Sequence, residues 1–303
     1  MSARSRSLDF AATAILSLSA FGANSAAACD ARIVERPTAL RMDYDPFASA
    51  EASGHIGFGI ENRSGEACSM DLALLAGDRR TIDETQIGAS GVRVRFVAGI
   101  GDARLAATNA PGLWRVRLDP GKVQQVALDV IVIRDAIAEA GDHSVTLGLE
   151  LRESGELASV HGPDPVTLVL VSAPRAQMNI AGAAGAFGEG AGVSRVDFGE
   201  MTGGDQRRVF LQVRANIIAR LTIDSINRGL LKLAKDDAAE NAIRYTATLN
   251  GTAIDLRQHF ETRLNLPRTI AGSSLPFDLR LGDVGARVAG TYTDLLTIEF
   301  SPL

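Results

Sequence analysis

Aromatic residues and cysteines are both scarce in this sequence. Phe, Trp and Tyr together make up 5% of the 303 residues, and there is a single Trp. Because hydrophobic residues still reach 46%, any core must be built mainly from Val, Leu, Ile and Ala. The 31 basic residues are balanced by 36 acidic ones, and no basic cluster stands out. The composition therefore predicts globular domains, two of ordinary size at this length, and no nucleic-acid partner.

Side chains that could carry catalysis or bind a metal are sparse and scattered. No histidine has a metal-ligating neighbour at suitable spacing, and the four lie in unrelated segments: His55, His143, His161 and His259. The sequence has no Gly-x-Ser-x-Gly elbow. The Gly-rich run 185–192 lacks the lysine of a phosphate-binding loop, and Asp236, Asp237 and Glu240 lack the alternation of a calcium loop. We therefore expect a non-enzymatic protein with no catalytic residue, metal site or cofactor.

Beyond the N-terminus, no stretch resembles a transmembrane helix. The apolar run from Phe10 to Phe21 is too short to span a bilayer. Arg4 and Arg6 precede it and three small residues, 26–28, come after it, which is the order of a secretory signal peptide. We expect residues 1–28 to be removed, the alternative being an N-terminal anchor helix. The mature chain is then exported and has no transmembrane segment.

The two cysteines are Cys29 and Cys68. Outside the cytoplasm such a pair is typical of one disulfide, here closing a loop of roughly 40 residues. The alternative is that Cys29, the first residue after the signal, is lipidated, although Ala26 stands where a lipoprotein signal usually has Leu. The two alternatives exclude each other, because a lipidated thioether cannot pair with Cys68.

The rest of the sequence consists of short runs of alternating apolar and polar residues, broken by Gly, Pro, Asn and Asp. Period-two patterning with frequent turn signals is typical of the strands of a β-sandwich or a β-barrel. Asp135–Ala140 is expected to be a short turn, and Leu230–Ala239 a helical turn or two. The predicted strands are Ala39–Tyr44, His55–Glu61, Cys68–Leu75, Val92–Val97, Leu113–Leu118, Val123–Ile133, Ser144–Leu151, Val166–Val171, Val209–Val213, Ala219–Ile223, Ile243–Leu249, Pro276–Leu281 and Tyr292–Phe300.

A Gly/Ala-rich stretch, Ala181–Gly192, has no apolar period and is typical of a linker or long loop. Gln177–Ile180 just before it could be the first strand of a new domain. We therefore predict two domains, residues 29–173 and residues 174–303.

An internal repeat supports this division. Val126–Leu151 aligns without a gap with Leu275–Phe300, at a shift of 149 positions that places Ala140 and Gly141 over Ala289 and Gly290. Both segments contain a strand, a loop ending in Ala-Gly and a second alternating strand. We expect both domains to share one topology.

The two repeats continue differently along the chain. After Leu151 the first domain runs on to the apolar segment Pro165–Val171, whereas only Ser301–Leu303 remains after Phe300. The second sandwich is therefore expected to lack its last strand, which exposes apolar core and unpaired backbone groups. A strand inserted from another chain would fill the gap. The predicted groove residues are Leu279, Leu281, Leu296, Ile298 and Phe300.

Several segments of the second half carry a family resemblance: Asp197–Gly199, Ser225–Leu230, Ile243–Tyr245 with Leu249–Gly251, and Ala289–Ile298. They resemble the spore coat protein U domain family, which includes the pilins of archaic chaperone–usher pili. The most specific part is the closing G-x-Y-x-D of Gly290, Tyr292 and Asp294. The resemblance covers about Gln177 to Leu303. The first half is similar only loosely, through Cys29, Tyr44–Pro46 and Cys68.

The resemblance implies incomplete immunoglobulin-like folds and three partners: a periplasmic chaperone, an outer-membrane usher and a neighbouring pilin subunit. It implies transit through the periplasm to the cell surface or the extracellular space. Two domains in one chain resemble the tip adhesin of such pili, and a mature chain that begins at Cys29 has no N-terminal strand to donate. The alternatives are a secreted structural protein of the spore coat U type without an adhesive role, and a periplasmic immunoglobulin-like chaperone, which should have two complete sandwiches.

A tip domain would bind its target through exposed apolar loop residues. The candidates are Phe47, Val97, Ile100 and Trp114. The alternative for Trp114 is that its side chain is an ordinary part of the core. We expect replacement of Phe47 and Ile100 by Ser to lower adhesion without unfolding the domain.

Overall fold

The computed structural model describes residues 29–36, 38–99, 105–181, 187, 192–234 and 241–303. The described residues form 21 β-strands and no α-helix, so none of them belongs to a helix able to cross a membrane. The strands build four sheets in two sandwiches, and strands up to Ser172 share no sheet with those from Ala176 onward. The predicted all-β, immunoglobulin-like fold class is confirmed.

The first sandwich packs a five-stranded sheet against a six-stranded one. All neighbouring strands are antiparallel except β2 and β11, which run parallel. In spatial order, the five-stranded sheet contains β1 (Ala31–Glu35), β3 (Ser53–Asn62), β9 (Val123–Ile133), β6 (Arg93–Ala98) and β5 (Glu84–Gln86). The six-stranded sheet contains β2 (Ala39–Tyr44), β11 (Ser159–Ser172), β10 (Gly141–Glu153), β4 (Cys68–Leu75), β8 (Leu113–Leu118) and β7 (Leu105–Ala107).

The core of this sandwich forms because alternate side chains of each strand point between the two sheets. In β9, for example, Val126, Leu128, Val130 and Val132 are all buried, and the residues between them are not. The predicted disulfide is present: Cys29 is bonded to Cys68, with their Cα atoms 6.0 Å apart. It ties the chain just before β1 to the start of β4, on the opposite sheet.

The second sandwich is built from a seven-stranded and a three-stranded sheet. In spatial order, the larger sheet contains β12 (Ala176–Ile180), β13 (Gln206–Ala215), β19 (Ser273–Leu281), β16 (Ile243–Leu249), β15 (Leu230–Leu233) and β20 (Tyr292–Thr293), and β17 (Thr252–Ile254) pairs with β16. The smaller sheet contains β18 (Phe260–Leu264), β14 (Ala219–Ser225) and β21 (Leu296–Pro302).

Most of the strands predicted from alternation are present within a few residues. The helical expectation for Leu230–Ala239 is wrong where the structure describes it, because residues 230–233 form β15 and pair with β16. Gln177–Ile180 does begin the second sandwich, as part of β12. The predicted signal segment, 1–28, and most of the Gly/Ala stretch lie outside the described residues.

The two sandwiches meet at a buried amide, Asn216, which directly succeeds β13 and is 0% exposed. Its Nδ2 donates to Ser172 Oγ (3.1 Å) and to the carbonyls of Ala138 (3.2 Å) and Ala173 (2.9 Å). Its Oδ1 accepts from the backbone N–H of Arg175 at 2.8 Å. Since a buried amide is costly unless its hydrogen bonds are made, this network fixes how the two sandwiches join.

Candidate functional site

The register of two strand pairs relates the sandwiches directly. Leu149 of β10 lies opposite Leu74 of β4, and Ile298 of β21 lies opposite Ile223 of β14. Both positions are related by the same shift of 149 residues, from 149 to 298 and from 74 to 223. The sheet β18–β14–β21 therefore corresponds to β8–β4–β10 of the first sandwich.

The two corresponding strands differ in their neighbours. β10 is hydrogen-bonded on both sides, to β4 and to β11. Among the described strands, β21 is bonded to β14 alone. The second sandwich thus has a free strand edge at the position that β11 occupies in the first.

The free edge changes the burial of matched side chains. Leu147, Leu149 and Leu151 of β10 are at most 2% exposed. Their counterparts Leu296, Ile298 and Phe300 are only half-buried. Since the counterparts are equally apolar and point to the same side of the sheet, we attribute the added exposure to the open edge beside β21.

Backbone groups along this edge also lack strand partners. The carbonyl of Leu295 and the N–H of Leu303 bond towards β14. Because backbone groups alternate sides along a strand, those of Leu296, Ile298 and Phe300 point away from β14, to the open side. The residues whose side chains face the core are therefore also those that offer N–H and C=O groups to an incoming strand.

The open edge is one wall of a groove of about 560 Å³. The second wall is the segment from Val193 to Met201, which forms no strand. The floor is the inner face of the larger sheet, with Val209, Leu211, Phe277 and Leu279. A long cleft with an apolar floor and an unpaired strand edge is suited to an extended peptide with alternating apolar residues.

A side chain, rather than a strand, holds the second wall. Arg207 Nε donates to the carbonyl of Asp197 (3.0 Å) and its Nη2 to that of Phe198 (2.8 Å). The Arg207 guanidinium also lies 5.5 Å from the centre of the Phe198 ring. Val196 and Phe198 turn inward and pack against the core of the second sandwich. The wall is thus anchored while its backbone makes no ladder with β21.

A carboxylate stabilises the start of the free edge. Asp294 accepts hydrogen bonds from Ser225 Oγ (2.6 Å), Tyr245 Oη (2.5 Å) and the backbone N–H of Asn227 (3.0 Å). Burial, and then the hydrogen bond to Asp294, raises the pKa of Tyr245 well above its usual value. The cluster joins β14, β16 and the β20–β21 turn. Nearby, a Cβ on Gly290 would overlap Leu233 Cδ1, so a larger residue there would displace the end of the Leu233 side chain.

The predicted groove residues are only partly brought together. Leu279, Leu296 and Ile298 line the groove. Leu281 is buried in the core and Phe300 is half-buried against it, beyond the groove. Sequence reasoning missed the wall residues Val196 and Phe198, whose spacing of two was the available signal.

The candidate surface-binding residues do not form one patch. Trp114 is 4% exposed in the core, because it shares the inward face of β8 with Val116 and Leu118, so the structure corrects its assignment to a binding surface. Phe47 lies at the junction of the sandwiches, 4.5 Å below the Arg214 guanidinium. Val97 is half-buried at the end of β6, and Ile100 lies outside the described residues. In the part of the chain that the structure describes, no three His, Cys, Asp or Glu side chains are grouped to hold a metal ion.

No protein-family model and no curated protein sequence matches this chain. One solved structure that this chain resembles is the CsuC–CsuE chaperone–tip subunit complex from archaic chaperone–usher Csu pili of Acinetobacter baumannii. The sequence identity is 8% and the TM-score is 0.41, and the match covers 88% of this chain and 99% of that one. CfaE, the adhesive subunit of CFA/I fimbria of enterotoxigenic Escherichia coli, has 14% identity, TM-score 0.40 and coverage of 88% and 93%. The CupB6 tip adhesin from Pseudomonas aeruginosa has 11% identity, TM-score 0.33 and coverage of 89% and 93%. With identities of 8–14% and TM-scores below 0.5, these similarities say nothing about the role of this chain.

Proposed function

We propose that this chain is a non-enzymatic subunit of a surface pilus, whose second sandwich is completed by a β-strand from another protein chain. The observation that carries the proposal is the free edge of β21. Its inward side chains are half-buried where the matched residues of β10 are buried, and its outward backbone groups lack a strand partner in the described chain. Donor-strand complementation is the recognition mode that both buries such apolar side chains and pairs such backbone groups.

The first sandwich supplies a template for the incoming strand. β11 runs antiparallel to β10 and parallel to β2, and it buries Val166, Leu168 and Leu170 completely. The incoming strand would then run antiparallel to β21 and present apolar residues at every second position. Val166 pairs with Leu147, so its counterpart would lie opposite Leu296, at the centre of the groove lining.

We assign three partners to this groove and its assembly route. A periplasmic chaperone would fill the groove first, a neighbouring pilin subunit would replace it, and an outer-membrane usher would carry out the exchange. The subunit would pass through the periplasm and act at the cell surface or in the extracellular space. The domain division at about residue 173 and the removal of residues 1–28 belong to the same proposal.

We further propose that the chain stands at the fibre tip, with the first sandwich facing the target. Residues from Cys29 onward are used within that sandwich, through the disulfide and the β1–β3 pairing, so they are not free to act as a donor strand. Val97 and Ile100 remain candidates for target contact, while Phe47 contacts the second sandwich. The open groove favours this function over an immunoglobulin-like chaperone, which would need two complete sandwiches.

Co-purification from periplasm with the chaperone tests the proposal. We expect a 1:1 complex with the full chain and with the control variant Thr297→Asp, whose side chain points out of the groove. Ile298→Asp should abolish the complex, because it places a charge on the groove wall. Protease resistance of the second sandwich shows whether Ile298→Asp still folds, and Ile298→Ala should weaken the complex in any case. A free, monodisperse chain with no bound chaperone would refute the proposal.

A further inference from the structure

A second cavity, of about 470 Å³, lies where the two sandwiches meet. The first sandwich contributes the loop after β2, with Phe47, and Arg134 just after β9. The second contributes Arg214 of β13, Ile270 before β19, and Phe187 from the connecting stretch. The walls thus combine two guanidinium groups with apolar and aromatic surface. The cavity is separate from the groove beside β21 and does not depend on its function.

Arg214 is held in a fixed orientation within this cavity. Its guanidinium lies between two aromatic rings, 4.5 Å from the centre of Phe47 and 4.6 Å from that of Phe187. Its Nε donates to Gln177 Oε1 (2.8 Å) and its Nη1 to the carbonyl of Ile270 (3.2 Å). The two rings and the two hydrogen bonds together hold the guanidinium in one orientation.

Arg134 is oriented by a different set of contacts. It donates to the backbone carbonyls of Ser49 (2.8 Å) and Ala48, both in the loop after β2. Those carbonyl acceptors are neutral, so they do not compensate the positive charge of Arg134. Together, Arg134 and Arg214 concentrate positive charge at the junction.

The nearby carboxylates are engaged elsewhere. Asp45 pairs with Arg175 (2.6 Å), and Asp135 pairs with Arg93. Among the described residues, neither Arg134 nor Arg214 makes an ion pair. Burial, and then the positive charge of Arg134, lowers the pKa of Arg214, and the negative charge of Asp45 offsets only part of this shift. The site therefore carries positive charge that an anion would compensate.

We propose that the junction cavity binds a small organic carboxylate, whose carboxylate group is held by Arg134 and Arg214 and whose ring-sized body packs against the apolar walls. Paired guanidinium donors match carboxylate geometry, and flat aromatic and aliphatic walls accept the face of a sugar or similar ring. Because each sandwich contributes one arginine, the bound ligand would bridge them and stabilise their relative orientation.

Titration calorimetry with the full chain tests this proposal, with glucuronate as the probe and glucose as its uncharged match. We expect glucuronate to bind with a dissociation constant of about 1 mM, typical of a ligand of this size, and glucose to show no binding. Arg134→Gln and Arg214→Gln should each weaken glucuronate binding at least tenfold. Arg263→Gln, which removes an exposed arginine of β18 away from the cavity, should leave it unchanged.

Two further measurements keep the test independent of folding. Arg214→Lys keeps the charge but loses the fixed donors, so it should bind glucuronate several-fold more weakly while circular dichroism shows an unchanged fold. Glucuronate should also raise the melting temperature of the parent chain but not of Arg134→Gln. The proposal is overturned if glucuronate does not bind saturably, if glucose or inorganic phosphate binds equally well, or if Arg263→Gln weakens binding as much as the cavity variants.

Discussion

Completing the second sandwich with the chain's own hairpin should stabilise it strongly. The hairpin and strand that succeed β10 span residues 154–172, and position 154 corresponds to position 303 at the shift of 149. A variant that carries a copy of residues 154–172 directly after Pro302 would therefore extend β21 as β10 is extended in the first sandwich. The copied strand should enter the groove antiparallel to β21, as β11 lies against β10.

The expected magnitude is set by the burial of the template strand. Val166, Leu168 and Leu170 are 0% exposed in β11. Burying three such side chains contributes ~5–9 kcal/mol, at ~1.5–3 kcal/mol each, as an upper value because the unfolded chain already buries part of this surface. For a domain of this size the gain corresponds to a rise in melting temperature of roughly 15–25 °C.

The matched control carries the same extension with the three copied apolar residues changed to Ser. Differential scanning calorimetry of the two variants isolates the contribution of the apolar side chains, because length and turn are identical. The extended chain should melt well above both the control and the parent, and it should no longer bind a chaperone. If both extensions melt within about 3 °C of each other, a difference of only ~1 kcal/mol, the copied strand does not enter the groove and the reasoning is wrong.

Three other substitutions have outcomes set by the structure. Replacing Cys29 and Cys68 by Ser should lower the unfolding free energy of the first sandwich by about 4 kcal/mol, because the disulfide joins residues separated by 39 positions. A urea titration monitored by circular dichroism measures this change. A loss below ~1 kcal/mol would argue against a structural role for the disulfide. Trp114→Ala should cost ~3–5 kcal/mol in the same assay, since the ring is in the core, whereas full stability with lost adhesion would favour a binding role. Asp294→Ala should destabilise the second sandwich by ~2–4 kcal/mol because four donors lose their acceptor, whereas Asp283→Ala, in an exposed loop, should have little effect.

Alternation in the sequence predicted most of the fold because a half-buried strand must place apolar residues at every second position. Strands such as Cys68–Leu75 and Ile243–Leu249 match their predicted bounds. Short strands such as β5 and β7 contain only three residues and carry too little pattern to detect. β15 was misassigned because an isolated apolar run of that length fits a helix as well as a strand.

The groove was partly predictable and its second wall was not. The internal repeat pointed to the open edge beside β21, because the strand pair recurs in both halves and no described strand lies where β11 would be. The segment 193–201 is held by Arg207 rather than by a ladder, and such a contact leaves no periodic signal. Phe47 was placed on an outer surface because the docking of two domains is not encoded in any local pattern. Trp114 could have been assigned to the core, since Arg115 and Arg117 already mark the outer face of β8.

Residue-resolved hydrogen exchange along β21 reports whether the outer edge of this strand is unpaired. The amides of Thr297, Glu299 and Ser301 point to β14, so they should be protected in the isolated full chain and in its chaperone complex alike. The amides of Leu296, Ile298 and Phe300 point to the open side, so they should exchange rapidly in the isolated chain and become protected only in the complex. Protection of Leu296, Ile298 and Phe300 in the isolated chain would show that the edge is already paired and that no groove is open to a donor strand.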